Sequence, residues 1–290
     1  MTDLRQARAY WRYMKSLGWR VVDGAFVKKL PFLALSLVKI QRPERQPNLA
    51  ALKKFRPIYI SYEPAVNHKP PAGFRPGSPL LPSRTIWLDL RKSQKKLLQE
   101  MRPKTRYNIK KLRITDYGLR ITQGSQLSDD QLAAFYQIYR ENAKKQRFWG
   151  ASFTQLKSLA TCFGKKAYLI IARRMAQAGE SRRQGLAGND VIGGLLILVH
   201  DRVAYYSHNA ATNEGRRLFV PTILTWEAIK LAKKLGCHTF DFEGIDDPRF
   251  PVTRKWTGFS RFKKSFGGKE VNYPQALVKW QVPLYRYNRT

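Results

Sequence analysis

Leu4, Ala7, Trp11, Met14 and Leu17 fall three or four positions apart among Arg, Lys and Gln, which predicts one helix over residues 3–17, stopped by Gly18. The period then shortens. Residues 21–27, 32–40 and 57–62 read as short extended runs, and the Pro- and Gly-rich residues 67–83 read as loop. A strand at 85–90 leads into two helical pieces broken at Pro103, with Leu97, Met101, Ile109 and Leu112 on the apolar face. After a strand at 118–122, Ser128 opens a helix with Asp129 and Asp130 in its first turn, Gln131 completing a capping box, and Leu132, Phe135, Ile138 and Tyr139 turned inward. A shorter helix at 154–163 ends at Gly164. Strands at 167–173, 191–199 and 202–211 follow, the last two a hairpin around His200 and Asp201, with the polar residues 175–190 as an exposed loop before them. Leu224, Ala228, Leu231 and Leu235 mark a further helix closed by Gly236, and 238–245 is a last strand.

Composition supports a folded chain: 290 residues, 43% hydrophobic and 12% aromatic, suffice for one large or two small domains at about 150 residues each. Charge changes the picture more. There are 54 Lys and Arg against 20 Asp and Glu, a net +34, which points to a polyanionic partner such as nucleic acid, a phosphorylated ligand or an anionic membrane face. Residues 1–115 carry +20 of this and 116–290 carry +14. Cys162 and Cys237 lie far apart with no metal-ligand spacing, so neither a zinc site nor a disulfide framework is implied, and a reducing cytoplasm fits. The apolar run at 30–40 is broken by Pro31 and Lys39, well short of the ~20 residues of a transmembrane helix. The charged opening MTDLRQARAYWRYMK has no signal-peptide pattern. The expected location is the cytoplasm, with any membrane contact peripheral, at the anionic inner face.

From 116 to 270 the element order is that of a GNAT-type acyltransferase domain, a mixed sheet whose two central strands part to admit an acyl donor. Within that order stand Tyr206, then Trp226-Glu227 with Ile229, then Asp241-Phe242-Glu243-Gly244-Ile245, then Phe262-Lys263-Lys264-Ser265-Phe266-Gly267. In this combination, with WLDL and KTRYNIKKL upstream and Trp11 and Gly18-Trp19 at the start, the chain resembles the FemABX family, the aminoacyl-tRNA-dependent transferases that build peptidoglycan cross-bridges. The resemblance implies an α/β fold of two tandem GNAT-like domains, mixed sheets flanked by helices. Sustained heptads are lacking, so no coiled-coil arm is expected. Domain one is placed at 1–115, completed by 272–290, and domain two at 116–271.

The resemblance further implies an activity: transfer of an amino acid from aminoacyl-tRNA to the stem peptide of a peptidoglycan precursor, a UDP-MurNAc-peptide or its lipid-linked form, with no cofactor. An aminoacyl ester is already activated, so the protein must align an amine, remove one proton and stabilise charge on the carbonyl and ribose oxygens. Lys263, held by Phe262 and Phe266, matches the family lysine at the reacting centre, and Tyr206 matches a tyrosine that helps hold the precursor, although it also reads as core. Asp241 and Glu243 alternate with Phe240 and Phe242, and either orient the amine or pair with a lysine. His208 is a base by its chemistry but has no role by resemblance. Arg216 and Arg217 precede a helix and suit a phosphate. In the junction helix, Lys104, Arg106 and Tyr107 belong to a one-signed run with Lys110 and Lys111 that repels itself unless an anion lies against it. Two other readings compete: an N-acyltransferase using acyl-CoA, disfavoured because Gly215 is the sole glycine between Asn213 and Pro221, and a non-catalytic nucleic-acid-binding protein, supported by charge alone.

Overall fold

A computed structural model describes residues 2–45, 48–66, 71–111, 117–174 and 191–281, which form two compact units. The first comprises the described residues of 1–84, 247–254 and 272–290, the second those of 85–246 and 255–271. The division falls at 84/85 rather than at the expected 115/116, and the described end of the chain returns to the first unit.

In the first unit a 3-10 turn, Leu4–Gln6, and α1 (Arg8–Ser16) replace the single helix expected over 3–17, because Ala7 between them is extended. β1 (Arg20–Val22) and β2 (Ala25–Lys29) form a hairpin where one run was expected. Asp23 and Gly24 both adopt positive φ, 48° and 75°, the left-handed geometry of a two-residue turn that matches strand twist. β3 (Ser36–Gln41) continues antiparallel to β2, and α2 (Leu49–Lys53), capped by the Asn48 side chain, carries the chain over to β4 (Pro57–Glu63), parallel to β3. The loop segment contributes β5 (Arg75–Pro76). Both β4 and β5 pair antiparallel with β13 (Leu277–Trp280), giving the order β1-β2-β3-β4-β13-β5.

The second unit repeats this plan on a larger scale. It begins with β6 (Arg84–Asp89), α3 (Gln94–Glu100) and α4 (Pro103–Lys111), the helices separated at Met101 and Arg102 as Pro103 dictates. Then come β7 (Tyr117–Gln123), α5 (Asp129–Lys145), α6 (Phe153–Phe163), β8 (Ala167–Arg174), β9 (Val191–His200) and β10 (Val203–Ala211). α7 (Asn213–Arg217), α8 (Val220–Lys234), β11 (Thr239–Asp241), α9 (Thr257–Lys264) and β12 (Lys269–Asn272) complete it. The capping box of Ser128 and Gln131 forms as expected, and Ser152 with Gln155 forms a second. The sheet order is β12-β6-β11-β10-β9-β8-β7, with β10 and β11 parallel. β6 pairs antiparallel with β11, which draws residues 85–111 into this unit. The loop expected at 175–190 and the core position Leu112 fall outside the described residues.

Two adjacent glycines in β9 set the layers. A side chain on Gly193 would meet Val220 and Leu224 of α8, and one on Gly194 would meet Phe135 of α5, so each helix packs closely on its own face of the sheet. On the α8 face, Ile170, Leu195, Ile197, Ala204, Phe240 and Phe242 join Ile223, Leu224 and Ile229 in one buried core. Neither Cys162 nor Cys237 takes part in a disulfide. Among the described residues no helix is long and apolar enough to cross a membrane.

Gly215 has a packing reason for its identity. An added Cβ would lie 2.1 Å from the Ile192 carbonyl oxygen, a backbone atom with no freedom to yield. Gly215→Ala is therefore expected to destabilise the chain by about 2 kcal/mol, read as a fall in melting temperature. Gly258→Ala, in the first turn of α9 with nothing within 4 Å of the new methyl, is expected to leave stability unchanged or raise it by about 0.5 kcal/mol.

Candidate active site

β10 and β11 are joined by three parallel rungs, Val203–Thr239, Ala204–Phe240 and Tyr205–Asp241, and then separate. Two local features part them. On β10 the register with β9 shifts between Tyr206 and His208, a bulge at Ser207 that re-aims the residues around it. On the other side Glu243 takes φ 59°, so the chain leaves the strand direction directly after Phe242. The opening lies between Tyr206–His208 and Glu243–Gly244.

Lys263 of α9 reaches this opening. The residue is 8% exposed, and its Nζ donates a 2.6 Å hydrogen bond to the Gly244 carbonyl oxygen. Nζ also lies 5.5 Å from the Tyr206 ring centre and 5.2 Å from that of Phe259, within cation-π range. Burial lowers its pKa to about 8, against the opposing pull of Glu243 and Asp241. A second bond fixes the same helix: the Asp246 amide donates to Ser260 Oγ at 2.8 Å, and that hydroxyl donates to the Trp256 carbonyl. Phe262 turns the other way, packing edge-on against Phe266 and the core, and so holds α9 rather than facing the opening.

Tyr206 is buried. Asn209 Nδ2 donates to its hydroxyl, and burial pushes its pKa up to about 12, so it remains a neutral phenol. Asp241 and Glu243 do not act as a matched pair. Asp241 is buried between Thr85 and Trp87 of β6: Oδ1 accepts from Thr85 Oγ1 and, at 2.7 Å, from the Glu243 amide, while Oδ2 accepts from Trp87 Nε1 at 2.9 Å. Burial first and the Glu243 charge second raise its pKa. With both oxygens engaged, Asp241 holds β6 to β11 and shapes the turn. The half-buried Glu243 is the acid whose field reaches Lys263, Asp241 and His208. His208 is half-buried, its Nδ1 2.8 Å from Ser207 Oγ and its ring edge-on to Tyr139, and burial takes its pKa down to about 4, leaving a neutral imidazole at physiological pH. The sequence offered His208 only as a chemical type. Its approach to Glu243 arises from the bulge and the left-handed residue together.

The remaining candidates lie elsewhere. Arg216 is exposed on α7, its guanidinium donating to Asn142 and Asn213, and Arg217 is exposed beside it. Arg106 Nη1 donates to the carbonyls of Gln99 (2.9 Å) and Met101 (2.6 Å) and so closes the end of α3, whereas Lys104, Tyr107 and Lys110 face solvent. The amides around α7 and the start of α8 are largely spent internally. Gly215 N donates to Thr212 Oγ1, Arg216 N to the Thr212 carbonyl, and Thr222 N and Ile223 N to the Phe219 carbonyl, while Pro221 has none to give.

A feature the sequence reading passed over is a cavity of about 530 Å³ between the end of α5 and the start of α6. Tyr136 and Tyr139 line it with Arg140, Lys144, Arg147 and Trp149, the last 102% exposed. The sequence signal was KKQRFWG, basic and aromatic residues in a helix-ending turn.

Comparison with known proteins bears on this geometry. A search of curated protein sequences found no significant match. Among solved structures, FemX is similar over 96% of this chain and 92% of its own, with 16% identity and a TM-score of 0.74. L-PGS from Bacillus licheniformis is similar over 97% of this chain and 93% of its own at 10% identity and TM-score 0.57. A tandem GNAT protein from the clavulanic acid biosynthesis pathway covers 89% and 79% at 11% identity and TM-score 0.53. At these identities the likeness is one of fold. Residues 99–250, more than half the chain, match the acetyltransferase (GNAT) domain family, whose span includes both parted strands. The chain therefore belongs to the acetyltransferase (GNAT) domain family, an acyltransferase carried on a FemX-like fold.

Proposed function

We propose that the chain is an aminoacyltransferase that moves an amino acid from aminoacyl-tRNA to the stem peptide of a peptidoglycan precursor. The observation that carries this reading is the buried Lys263 ammonium at the opening between β10 and β11, and in the turn before α8 and its first residues the amides of Gly215, Arg216, Thr222 and Ile223 are spent within the protein. A CoA-dependent enzyme needs several free amides there to hold a pyrophosphate. A tRNA end is held instead by scattered cations and by stacking, which the α5–α6 cavity supplies through Trp149, Arg140, Lys144 and Arg147. The fold likeness to FemX and the ordered motifs from Tyr206 to Gly267 support the same reading.

In the proposed reaction the acceptor amine attacks the ester carbonyl carbon. A C–N bond forms, the carbonyl oxygen takes negative charge, and the C–O bond to the ribose breaks as that charge collapses. Lys263, still protonated below about pH 8, stabilises the oxyanion. The amine's proton passes through water to Glu243, and a proton returns from Glu243 through water to the ribose oxygen as it leaves. Tyr206, neutral throughout, flanks the ammonium and keeps water away from it.

The family description favours a second reading, N-acyl transfer from acyl-CoA, which needs the amides of Thr222 and Ile223 released from Phe219.

Incubating the protein with tRNA charged with labelled amino acids and, in parallel, a soluble and a lipid-linked muramyl pentapeptide, then weighing the products, tests the reading. A product heavier by amino-acid residues is expected from at least one acceptor, and both acceptors left unchanged by every charged tRNA overturns it. Lys263→Ala is expected to lower turnover about 100-fold with circular dichroism preserved. Wild-type transfer, corrected for ester hydrolysis, is expected to fall as pH rises through about 8, where Lys263 loses its proton. Lys263→Arg keeps its charge far above that pH, so whatever turnover it retains lacks this descending limb. An unchanged limb in the arginine variant assigns the titration to another group. Trp149→Ala is expected to weaken binding of the charged tRNA about tenfold, measured by filter binding, without altering acceptor affinity.

A further inference from the structure

The β2–β3 turn of the first unit presents four consecutive apolar residues to solvent, Pro31, Phe32, Leu33 and Ala34. Phe32 is 107% exposed and Leu33 54%. The turn is ordered: Leu30 N donates to the Leu35 carbonyl at 2.9 Å, Leu33 N bonds back to the Leu30 carbonyl, and Phe32 is held at φ 58°, a conformation a bulky residue rarely adopts. A folded chain gains nothing internally from displaying an aromatic ring in this way.

The strand register shows what surrounds the tip. β2 runs towards it and β1 away from it, so Arg20 lies at this end. β3 starts from the tip, and because β4 is parallel to β3 it starts here too, preceded by Lys53, Lys54 and Arg56, with Ser36 N donating to the Arg56 carbonyl. Lys29 pairs with Ser36 on the tip itself. These five cations are all exposed. β13, antiparallel to β4, ends here with Trp280, 56% exposed and tilted against Tyr59 at 4.6 Å.

The acids lie at the other end. Asp23 is in the β1–β2 turn, and Glu44, which accepts from Thr2, follows the end of β3. Glu63 closes β4, its Oε1 accepting from the amides of Leu80 and Leu81. Asp3 acts on the Arg42 guanidinium, which stacks 3.4 Å from the Tyr273 ring centre, and Asp247 binds Ser83 and Arg249, which in turn donates to the Tyr273 carbonyl. Every acidic residue of this unit's sequence is thus at the far end from Phe32.

We propose that this end of the first sheet docks on an anionic phospholipid bilayer, Phe32 and Leu33 entering the interfacial region while Arg20, Lys29, Lys53, Lys54 and Arg56 meet the headgroup phosphates. An aromatic and aliphatic tip inside a ring of cations, with aromatic residues beside it, matches both layers of such a surface. An RNA backbone would use the cations but draw little from an exposed Pro, Leu and Ala. Taken with the proposed reaction, on which this consequence rests, docking here makes the lipid-linked precursor the acceptor.

Binding is tested without donor or acceptor, so its outcome stands apart from that of the transfer assay. The full chain is sedimented with phosphatidylcholine vesicles, with and without phosphatidylglycerol. Preferential capture by the anionic vesicles is expected, reduced about tenfold by Phe32→Asn with Leu33→Asn, since asparagine tolerates the left-handed turn and keeps the hairpin intact. Phe32→Trp with brominated lipids adds a depth readout: fluorescence quenching beyond that of the wild type is expected. Equal capture by neutral and anionic vesicles, full capture of the asparagine variant, or no added quenching overturns the proposal. So does a result in which the asparagine variant loses tRNA binding and keeps vesicle binding, which assigns the patch to RNA.

Discussion

The hydrogen bond from Lys263 Nζ to the Gly244 carbonyl is where the second unit's fold and its proposed chemistry meet. An ammonium group this far from water is costly unless its charge and its donors are answered, and the lowered pKa records that cost. The answer comes from a carbonyl freed because β11 ends at Asp241, from two aromatic faces, and from the field of Glu243. Each depends on the parting of β10 from β11. Were those strands paired for their full length, the Gly244 carbonyl would face a ladder and Lys263 would have nowhere to reach.

The scaffold serves that parting. Asp241, gripped by Thr85 and Trp87, locks β6 along β11, so the three rungs between β10 and β11 suffice to hold the strands before they diverge. Gly193 and Gly194 bring α8 and α5 close on opposite faces, and the tight contact of Gly215 with Ile192 binds the turn before α8 to the end of β9. The same contact explains why a glycine in that turn need not signal a phosphate site. Its amide donates to the Thr212 hydroxyl that caps α7, and its missing side chain accommodates a backbone oxygen.

Much of this was legible from local pattern. The Ser128–Gln131 capping box, the break at Pro103, the β9–β10 hairpin and the apolar face of α5 depend on neighbours within a turn or two, and they appear where the residues predict them, whereas on α8 Leu224 and Ala228 are buried but Leu235 lies exposed past the helix end. Asp23-Gly24 was equally local, a two-residue turn signal read through as one strand. Non-local pairing was not legible. β6 finds β11 across most of the second unit, which moved residues 85–111 out of the first. In the site, Lys263 and Tyr206 stood out through the motifs around them. The distinct fates of Asp241, buried under three donors, and Glu243, turned out by a positive φ, did not, because strand alternation assigns both to one face. The α5–α6 cavity was missed because its lining comes from two helices and the turn joining them.

The proposed function requires this GNAT frame to take its acyl group from RNA, a donor favoured by the internal use of the Gly215, Thr222 and Ile223 amides. Calorimetric titration of the purified chain tests it most directly, with acetyl-CoA in one cell and a non-hydrolysable aminoacylated RNA acceptor stem in the other. Saturable heat from the RNA, weakening with added salt, and none from acetyl-CoA are expected. Tight, saturable acetyl-CoA binding with no response to the RNA would contradict it.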